Sequence, residues 1–160
     1  MNKPLPLSLL IALLGLFLTG MAHAKPIDSL EEVLKSAPSS ALRKLFDKPT
    51  DAKSLAEVNL YFGRNVVGQK AIIEAEIEFA EYTPGGRQSF RARALSVPVK
   101  WKNYAVARLN YFYFPEANKP PKGTVRVGSR LKVSGVVRRC EIVNKDGKLQ
   151  MNFDLTEAKL

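Results

Sequence analysis

Histidine and cysteine, two side chains often used for catalysis near neutral pH, each occur once in the 160 residues of this chain. The histidine is His23, which lies in a segment with the features of a removable export signal. The exported protein is therefore expected to contain no imidazole, which excludes a Ser-His-Asp triad, a Cys-His pair and a His-ligated zinc. Cys140 has no second cysteine for an intramolecular disulfide, and we interpret it as a small buried residue rather than a reactive thiol.

Carboxylates are the remaining candidates for acid–base chemistry or metal binding. Glu74, Glu76 and Glu78 alternate with apolar residues, so they would share one face of a strand. Such rows are usually solvated, and no other spacing in the chain marks a catalytic pair. Residues 63–68 lack the Gly-Lys-Ser/Thr ending of a phosphate loop. We therefore expect no enzyme activity, no catalytic residue, no cofactor and no metal site.

The first 24 residues combine the three parts of a secretory signal peptide. These are the basic Lys3, an apolar run from Leu9 to Leu18, and the small-x-small end at residues 22–24. The apolar run has ten residues, whereas a helix needs about 20 to cross a bilayer. We expect cleavage after Ala24, no retained transmembrane anchor, and a periplasmic or secreted bacterial protein.

Positive charge is concentrated in the second half of the chain. The 25 Lys and Arg residues exceed the 15 Asp and Glu residues, for a formal net charge of +10. Six basic and six acidic residues balance from Lys25 to Leu60, but thirteen basic residues accompany only Glu116 between Pro84 and Arg139. A surface of one sign attracts partners of the other. The expected partner is an anionic polymer or surface (nucleic acid, acidic glycan or lipid headgroup) or an acidic protein; alternatively, the charge only keeps the protein soluble.

The periodicity of apolar residues changes along the chain. Residues 25–65 carry helical spacing and caps, which predicts short helices ending at Pro38, over Ser40–Phe46, and over Asp51–Asn59. From Val66 the period is two, which indicates strands. Five are predicted, over Ala71–Tyr82, Phe90–Trp101, Tyr104–Phe114, Val125–Val143 and Leu149–Leu160. The domains would be a signal peptide (1–24), a helical segment packed on a barrel (25–65) and the barrel itself (66–160).

The predicted fold is mainly β with N-terminal helices (α+β), because closing five antiparallel strands into a small barrel removes their exposed edges. A change of phase near Ala94 predicts a bulge in the second strand. The residues predicted to face inward include Phe79, Leu95, Val97, Val99, Trp101, Tyr111 and Tyr113. Phe112 and Phe114 would then face outward on the third strand.

Residues 127–137 and 149–158 resemble strands four and five of OB-fold proteins, above all the exported bacterial members and their anticodon-binding-like relatives. The resemblance rests on a glycine-polar-x-apolar-x-apolar-x-Gly pattern from Gly128 to Gly135 and on the alternating strand that follows. It implies a five-stranded barrel. One departure is the Pro-rich segment 115–123, which cannot hold the helix that OB-folds commonly carry between strands three and four.

The resemblance implies a ligand site on the face of strands two and three and on the two loops that flank it. The residues it places there are Arg87, Arg91, Arg93, Lys100, Lys102, Tyr104, Arg108, Phe112, Lys145 and Lys148. We predict a non-enzymatic, exported OB-fold binding module whose basic face engages the anionic partner. Two alternatives stay open: Arg91 and Arg93 could pair with the glutamate row, and the helices could cover this face in a structural or accessory interaction protein.

Overall fold

The computed structural model of the chain describes residues 25–82 and 88–160. Three helices come first: α1 (Leu30–Ser36), α2 (Ser39–Asp47) and α3 (Ala52–Asn65). Seven strands follow: β1 (Lys70–Tyr82), β2 (Gln88–Ala94), β3 (Val99–Trp101), β4 (Tyr104–Leu109), β5 (Tyr111–Pro115), β6 (Arg130–Lys145) and β7 (Lys148–Lys159). The predicted signal peptide and Arg87 lie outside the described residues.

Two of the three described helices begin at side-chain caps: α1 at the predicted cap and α3 at the first residue of its predicted range. The Ser29 hydroxyl accepts a hydrogen bond from the Glu32 N–H at the start of α1, and the Asp51 carboxylate accepts one from the Ser54 N–H at the start of α3. The predicted apolar stripe of α1 is buried, and α3 continues to Asn65, beyond its predicted end. The Pro-rich segment holds only a 3₁₀ turn at Glu116–Asn118.

Five of the strands close into a barrel in the order β1-β2-β5-β7-β6, and β6 pairs again with β1. The predicted α+β barrel is thus confirmed. It is mixed rather than wholly antiparallel, since β4 and β5 run parallel to β7. The reason is the order of the strands along the chain. β6 pairs with β1 on the side opposite β2, and β7, which follows β6 antiparallel to it, lies between β6 and β5 and runs parallel to β5.

Two predicted strands are each divided into two. The second becomes β2 and β3, separated by residues 95–98, and the third becomes β4 and β5, separated by Asn110. Val99 and Trp101 are buried as predicted, but Leu95 is 39% and Val97 53% exposed. The inward prediction for those two residues is wrong because the chain leaves the sheet there.

The inward face of β4 and β5 is the opposite of the predicted one. Phe112 and Phe114 are fully buried, whereas Tyr111 and Tyr113 are half-exposed. The prediction of Phe112 as an outward ligand contact is therefore wrong, and so is that of inward tyrosines. The physical reason is that a phenylalanine ring has no polar atom, whereas a tyrosine hydroxyl gains from a surface that water reaches.

A bulge in β1 changes the phase of that strand. Ala71, Ile73, Ala75 and Ile77 are buried, but the pairing with β2 shifts between Ile77 and Phe79. Phe79 consequently lies half-exposed on the outer face, and its predicted inward position is wrong. The irregularity lies opposite Ala94, where a bulge was expected, but in the partner strand.

The helices pack against β3 and β6. Asn59 of α3 accepts a hydrogen bond from the Ile142 N–H (2.7 Å) and donates one to the Ile142 C=O (2.9 Å). It thereby satisfies backbone groups of β6 in the part of that strand that β1 does not reach. Phe46 of α2 stacks on Trp101 with ring centroids 5.2 Å apart. None of the helices in the described parts of the chain is long and apolar enough to span a membrane.

Cys140 is a free, buried residue of β6, as predicted. Burial raises the pKa of its thiol from 9.0 to about 12. Because the thiolate is the reactive form, we expect a disulfide reagent at pH 8 to label the native chain about a thousandfold more slowly than the chain unfolded in guanidinium. The labelling rate is measured as the rate at which the reagent releases its coloured leaving group. Comparable rates before and after unfolding would contradict the burial of Cys140.

Candidate ligand-binding face

Arginines alternate with aromatic rings on the outer surface of β1, β2 and β5 and the adjoining part of β6. We call this surface the arginine–tyrosine face; it consists of Phe79, Arg91, Arg93, Tyr111, Tyr113 and Arg138. The Arg91 guanidinium lies 5.2 Å from the centre of the Tyr111 ring, and that of Arg138 lies 5.0 Å from the Tyr113 ring. Arg93 lies 5.7 Å from the Phe79 ring. These distances are within the range of cation–π attraction.

The strand register explains why these residues share one face. Arg91 lies opposite Tyr113, and Arg93 lies opposite Tyr111, in the antiparallel β2–β5 pair. Residues directly opposite each other in such a pair point to the same side. The two polar arginines of β2 therefore place the tyrosines outward, and Ala92 places its partner Phe112 in the core.

Glutamates of β1 partly neutralise the arginines. Arg91 forms an ion pair with Glu81, and the Arg93 Nε lies 3.3 Å from a Glu78 carboxylate oxygen. The alternative that these arginines pair with the glutamate row is thus confirmed for Arg93, whereas Arg91 pairs with Glu81, which lies outside that row. A hydrogen bond to the Tyr111 side chain raises the pKa of Arg93, with a smaller contribution from Glu78, so the guanidinium stays charged at every pH the protein meets.

A buried carboxylate holds the backbone of Tyr111 in position from the inner side of the sheet. Asp154 of β7 accepts a hydrogen bond from the Tyr111 N–H (3.1 Å) and forms an ion pair with the Arg139 Nη2 (2.8 Å). Burial raises the pKa of Asp154, although Arg139 acts in the opposite direction. Asp154 thus joins β5, β6 and β7 at the edge of the arginine–tyrosine face.

Four predicted site residues form a second group, which we call the basic end: Lys100, Lys102, Lys145 and Lys148. Lys100 lies in β3, Lys102 lies in the β3–β4 turn, and the other two flank the β6–β7 turn; all four are exposed. The parallel register of β4 and β7, which pairs Ala107 with Gln150, brings the two turns to one end of the sheet. Within residues 25–82 and 88–160, none of the four forms an ion pair.

The other predicted site residues lie elsewhere. Tyr104 stacks on Phe46 (4.3 Å between centroids) and donates a hydrogen bond to Asp47 (3.1 Å), so it fixes α2 to β4. That hydrogen bond raises the pKa of the Tyr104 hydroxyl. Arg108 lies in a separate cleft beside β1 and α1. With Phe112 in the core, the predicted site residues that lie on or next to the predicted face, among those that the structure describes, are Arg91, Arg93 and the four lysines.

Sequence reasoning missed four members of the arginine–tyrosine face: Phe79, Tyr111, Tyr113 and Arg138. The preference of tyrosine over phenylalanine for the wet side of a strand could have identified the tyrosines. Phe79 could not be found in this way, because its exposure depends on the bulge in β1. In the described parts of the chain, no group of three or more His, Cys, Asp or Glu residues is placed to hold a metal ion.

No protein-family model, no curated protein and no solved structure matches this chain. Function is therefore inferred from the geometry of the face and the basic end.

Proposed function

We propose that this chain is an exported, non-enzymatic binding module of the OB-fold type whose arginine–tyrosine face and basic end engage an anionic polymer. One observation carries the proposal: half-exposed aromatic rings with guanidinium groups above them lie on the same sheet as lysines without ion pairs. Cations can hold a charged backbone, while the rings stack on bases or sugars, at about 1–3 kcal/mol per stacked base.

A path of small side chains connects the two groups. Ala105 and Ala107 are exposed on the same side of the sheet as Tyr111 and Tyr113, and Lys100 lies opposite Ala105. The distance from residue 105 to residue 113 along the strands is about 26 Å. This is comparable to the length of the smallest single-strand sites, which hold about four nucleotides.

Among the anionic partners, this arrangement favours a polymer that carries rings as well as charges. Single-stranded nucleic acid and acidic glycan meet this condition better than a lipid headgroup or an acidic protein. The contacts of α2 and α3 with β3 and β6 support an open face rather than one covered by the chain's own helices. The accessory-protein alternative remains distinguishable, because it requires a specific protein partner instead of a polymer.

Charge reversal of the basic end tests the proposal. We expect a Lys100→Glu, Lys102→Glu, Lys145→Glu, Lys148→Glu variant to bind single-stranded DNA or heparin at least a hundredfold more weakly than the wild type. Its slope of log affinity against log salt should be smaller by about 3. The measurement is fluorescence anisotropy across a salt series, with anionic vesicles as a third probe.

The matched control reverses four exposed lysines elsewhere: Lys53, Lys70, Lys122 and Lys159. It changes the net charge equally and should retain most of the affinity. Tyr111→Ala and Tyr113→Ala should weaken binding without changing the salt slope. Tyr111→Phe and Tyr113→Phe, which keep the aromatic ring, should bind as tightly as the wild type. Salt-insensitive binding, binding to none of the three probes, or an equal loss in the control would refute the proposal.

A further inference from the structure

The barrel wall has a gap where β2 diverges from β1. Ile27 pairs with the start of β1: its N–H donates to the Lys70 C=O (2.9 Å), and its C=O accepts from the Ile72 N–H (2.8 Å). At the other side of the gap, the Leu95 N–H donates to the Glu76 C=O (2.7 Å). β1 pairs with β2 only from Ile77 onward.

Backbone groups of β1 face this gap without a partner. In an antiparallel pair, every second residue points its N–H and C=O groups at the neighbouring strand. Ile72, Glu74 and Glu76 are residues of β1 whose N–H and C=O groups point away from β6 and toward the gap. The Ile72 C=O, both backbone groups of Glu74 and the Glu76 N–H have no hydrogen bond from any described residue. This short stretch is an open strand edge, the kind of surface to which extended peptides add.

Arg108 of β4 lies in the same gap. One of its terminal nitrogens donates to the Leu95 C=O (3.2 Å), while its Nε is buried without a hydrogen-bond partner in the described chain. No described carboxylate forms an ion pair with it. Burial lowers the pKa of this guanidinium, with a smaller opposing effect from Glu31. A half-buried cation without an anion is costly, so an anionic ligand would stabilise it.

Two clefts of about 370 Å³ and 570 Å³ meet at Arg108, and Glu74 and Lys132 line both. Of the other charged residues that line them, Lys25 pairs with Asp28 and Arg130 pairs with Glu76, while Glu31 accepts a hydrogen bond from the Ser29 hydroxyl (3.2 Å). Exposed Val97 and partly buried Leu131 add an apolar wall to the larger cleft. The site therefore combines an unpaired cation, an open strand edge and apolar surface.

The length of the open edge limits what can occupy it. A strand running along β1 would collide with residues 27–29 at one end and with Leu95 at the other. The end of a chain, which need not continue past both sides, suits this short edge better than a longer strand does. The end that carries a negative charge is the C-terminal carboxylate, and the unpaired charge of Arg108 complements it.

We propose that this gap binds the C-terminal end of an extended peptide, with its carboxylate at Arg108 and its last backbone groups bonded to the edge of β1 at Glu74. The site is separate from the arginine–tyrosine face, so its test succeeds or fails independently of the function proposed above.

The test uses randomised N-acetyl tetrapeptides as free acids and, in a second set, as C-terminal amides. The full chain is immobilised, retained peptides are identified by mass spectrometry, and the best free acid is titrated by calorimetry. We expect the matching amide to bind at least tenfold more weakly, because a charged hydrogen bond is replaced by a neutral one. Equal affinity of acid and amide, or no retention of either set, would overturn the proposal.

Two variants separate binding from folding. Arg108→Met should lower the affinity at least tenfold, and Arg64→Met, at an exposed arginine of α3, should not. Glu74→Pro removes the carboxylate and an edge N–H that has no partner in the described chain, at a position where proline is tolerated. It should fold and lose affinity, whereas Glu74→Ala retains that N–H and should bind normally. Unchanged binding by Glu74→Pro or by folded Arg108→Met would contradict the proposed contacts.

Discussion

Arg139→Met is expected to lower the free energy of unfolding by about 3 kcal/mol at pH 7. The Asp154 side chain is only 4% exposed and pairs with the Arg139 Nη2 at 2.8 Å. Removing Arg139 leaves a buried carboxylate whose remaining hydrogen bond comes from the Tyr111 N–H. The cost is mainly that of the uncompensated charge, and urea unfolding followed by Trp101 fluorescence measures it.

The contribution of Asp154, the partner of Arg139, to the free energy of unfolding should change with pH in a definite direction. Because burial raises the pKa of Asp154 in the folded state above 3.8, the folded state holds this proton more tightly than the unfolded state does. The resulting stabilisation is complete below pH 3.8 and is lost as the pH rises through the raised value. The stability of the wild type relative to Asp154→Asn should therefore decrease from pH 3 to pH 7. If the stability of the wild type relative to Asp154→Asn instead increases with pH, the ion pair with Arg139 affects the pKa of Asp154 more than burial does.

A double variant isolates the charge. Arg139→Met with Asp154→Asn removes both ions and leaves an amide that can still accept the Tyr111 N–H. We expect it to recover at least half of the stability lost by Arg139→Met alone at pH 7. If the double variant is as unstable as the single one, the packing of Arg139, and not its charge, supports this edge of the face.

Local patterns were sufficient to predict the helices and the barrel. The cap at Ser29, the helical spacing from Asp51 and the alternating apolar residues from Val66 onward depend on neighbours within a few positions, so they can be identified without knowing the fold. The same holds for the burial of Cys140. The Arg93–Glu78 ion pair forms as expected, although Phe79 and not Glu78 lies directly opposite Arg93. The resemblance of the last two strands to OB-fold proteins adds an expectation about function that remains a proposal.

Which residues form the candidate site is decided by contacts between strands that are distant in the sequence. Both sides of residues 104–114 carry apolar residues, and Arg108 and Asn110 make the side of Phe112 and Phe114 the more polar one, so alternation favoured the wrong side as the core. The decision comes from β2, where Arg91 and Arg93 oppose Tyr113 and Tyr111. Asp154 and Arg139 meet only because β6 shifts register near Val137, and the gap at Arg108 exists only because β2 leaves β1 after Ala94. None of these contacts has a signature in the residues on either side of it.

Gly135→Ala is expected to lower the free energy of unfolding by about 3 kcal/mol. Gly135 lies where β6 pairs with β1 and β7 at once, next to a register shift in the β6–β7 pair. A Cβ at this position would lie 2.7 Å from the Thr156 C=O oxygen and 3.3 Å from the Leu155 Cβ. The first contact is with backbone, so the clash can be relieved only by moving β7 and loosening the closure of the barrel.

The matched control is Gly63→Ala in α3, where an added Cβ meets no atom within 4 Å. There alanine should raise the free energy of unfolding by about 0.5–1 kcal/mol, because it restricts the unfolded chain in a helical position. Urea unfolding of both variants, followed by Trp101 fluorescence, gives the comparison. Both variants make the same chemical change, so the prediction is tested by the difference between their free energies of unfolding. If Gly135→Ala is as stable as Gly63→Ala, β7 does not approach β6 closely enough to require glycine at the point where the barrel closes.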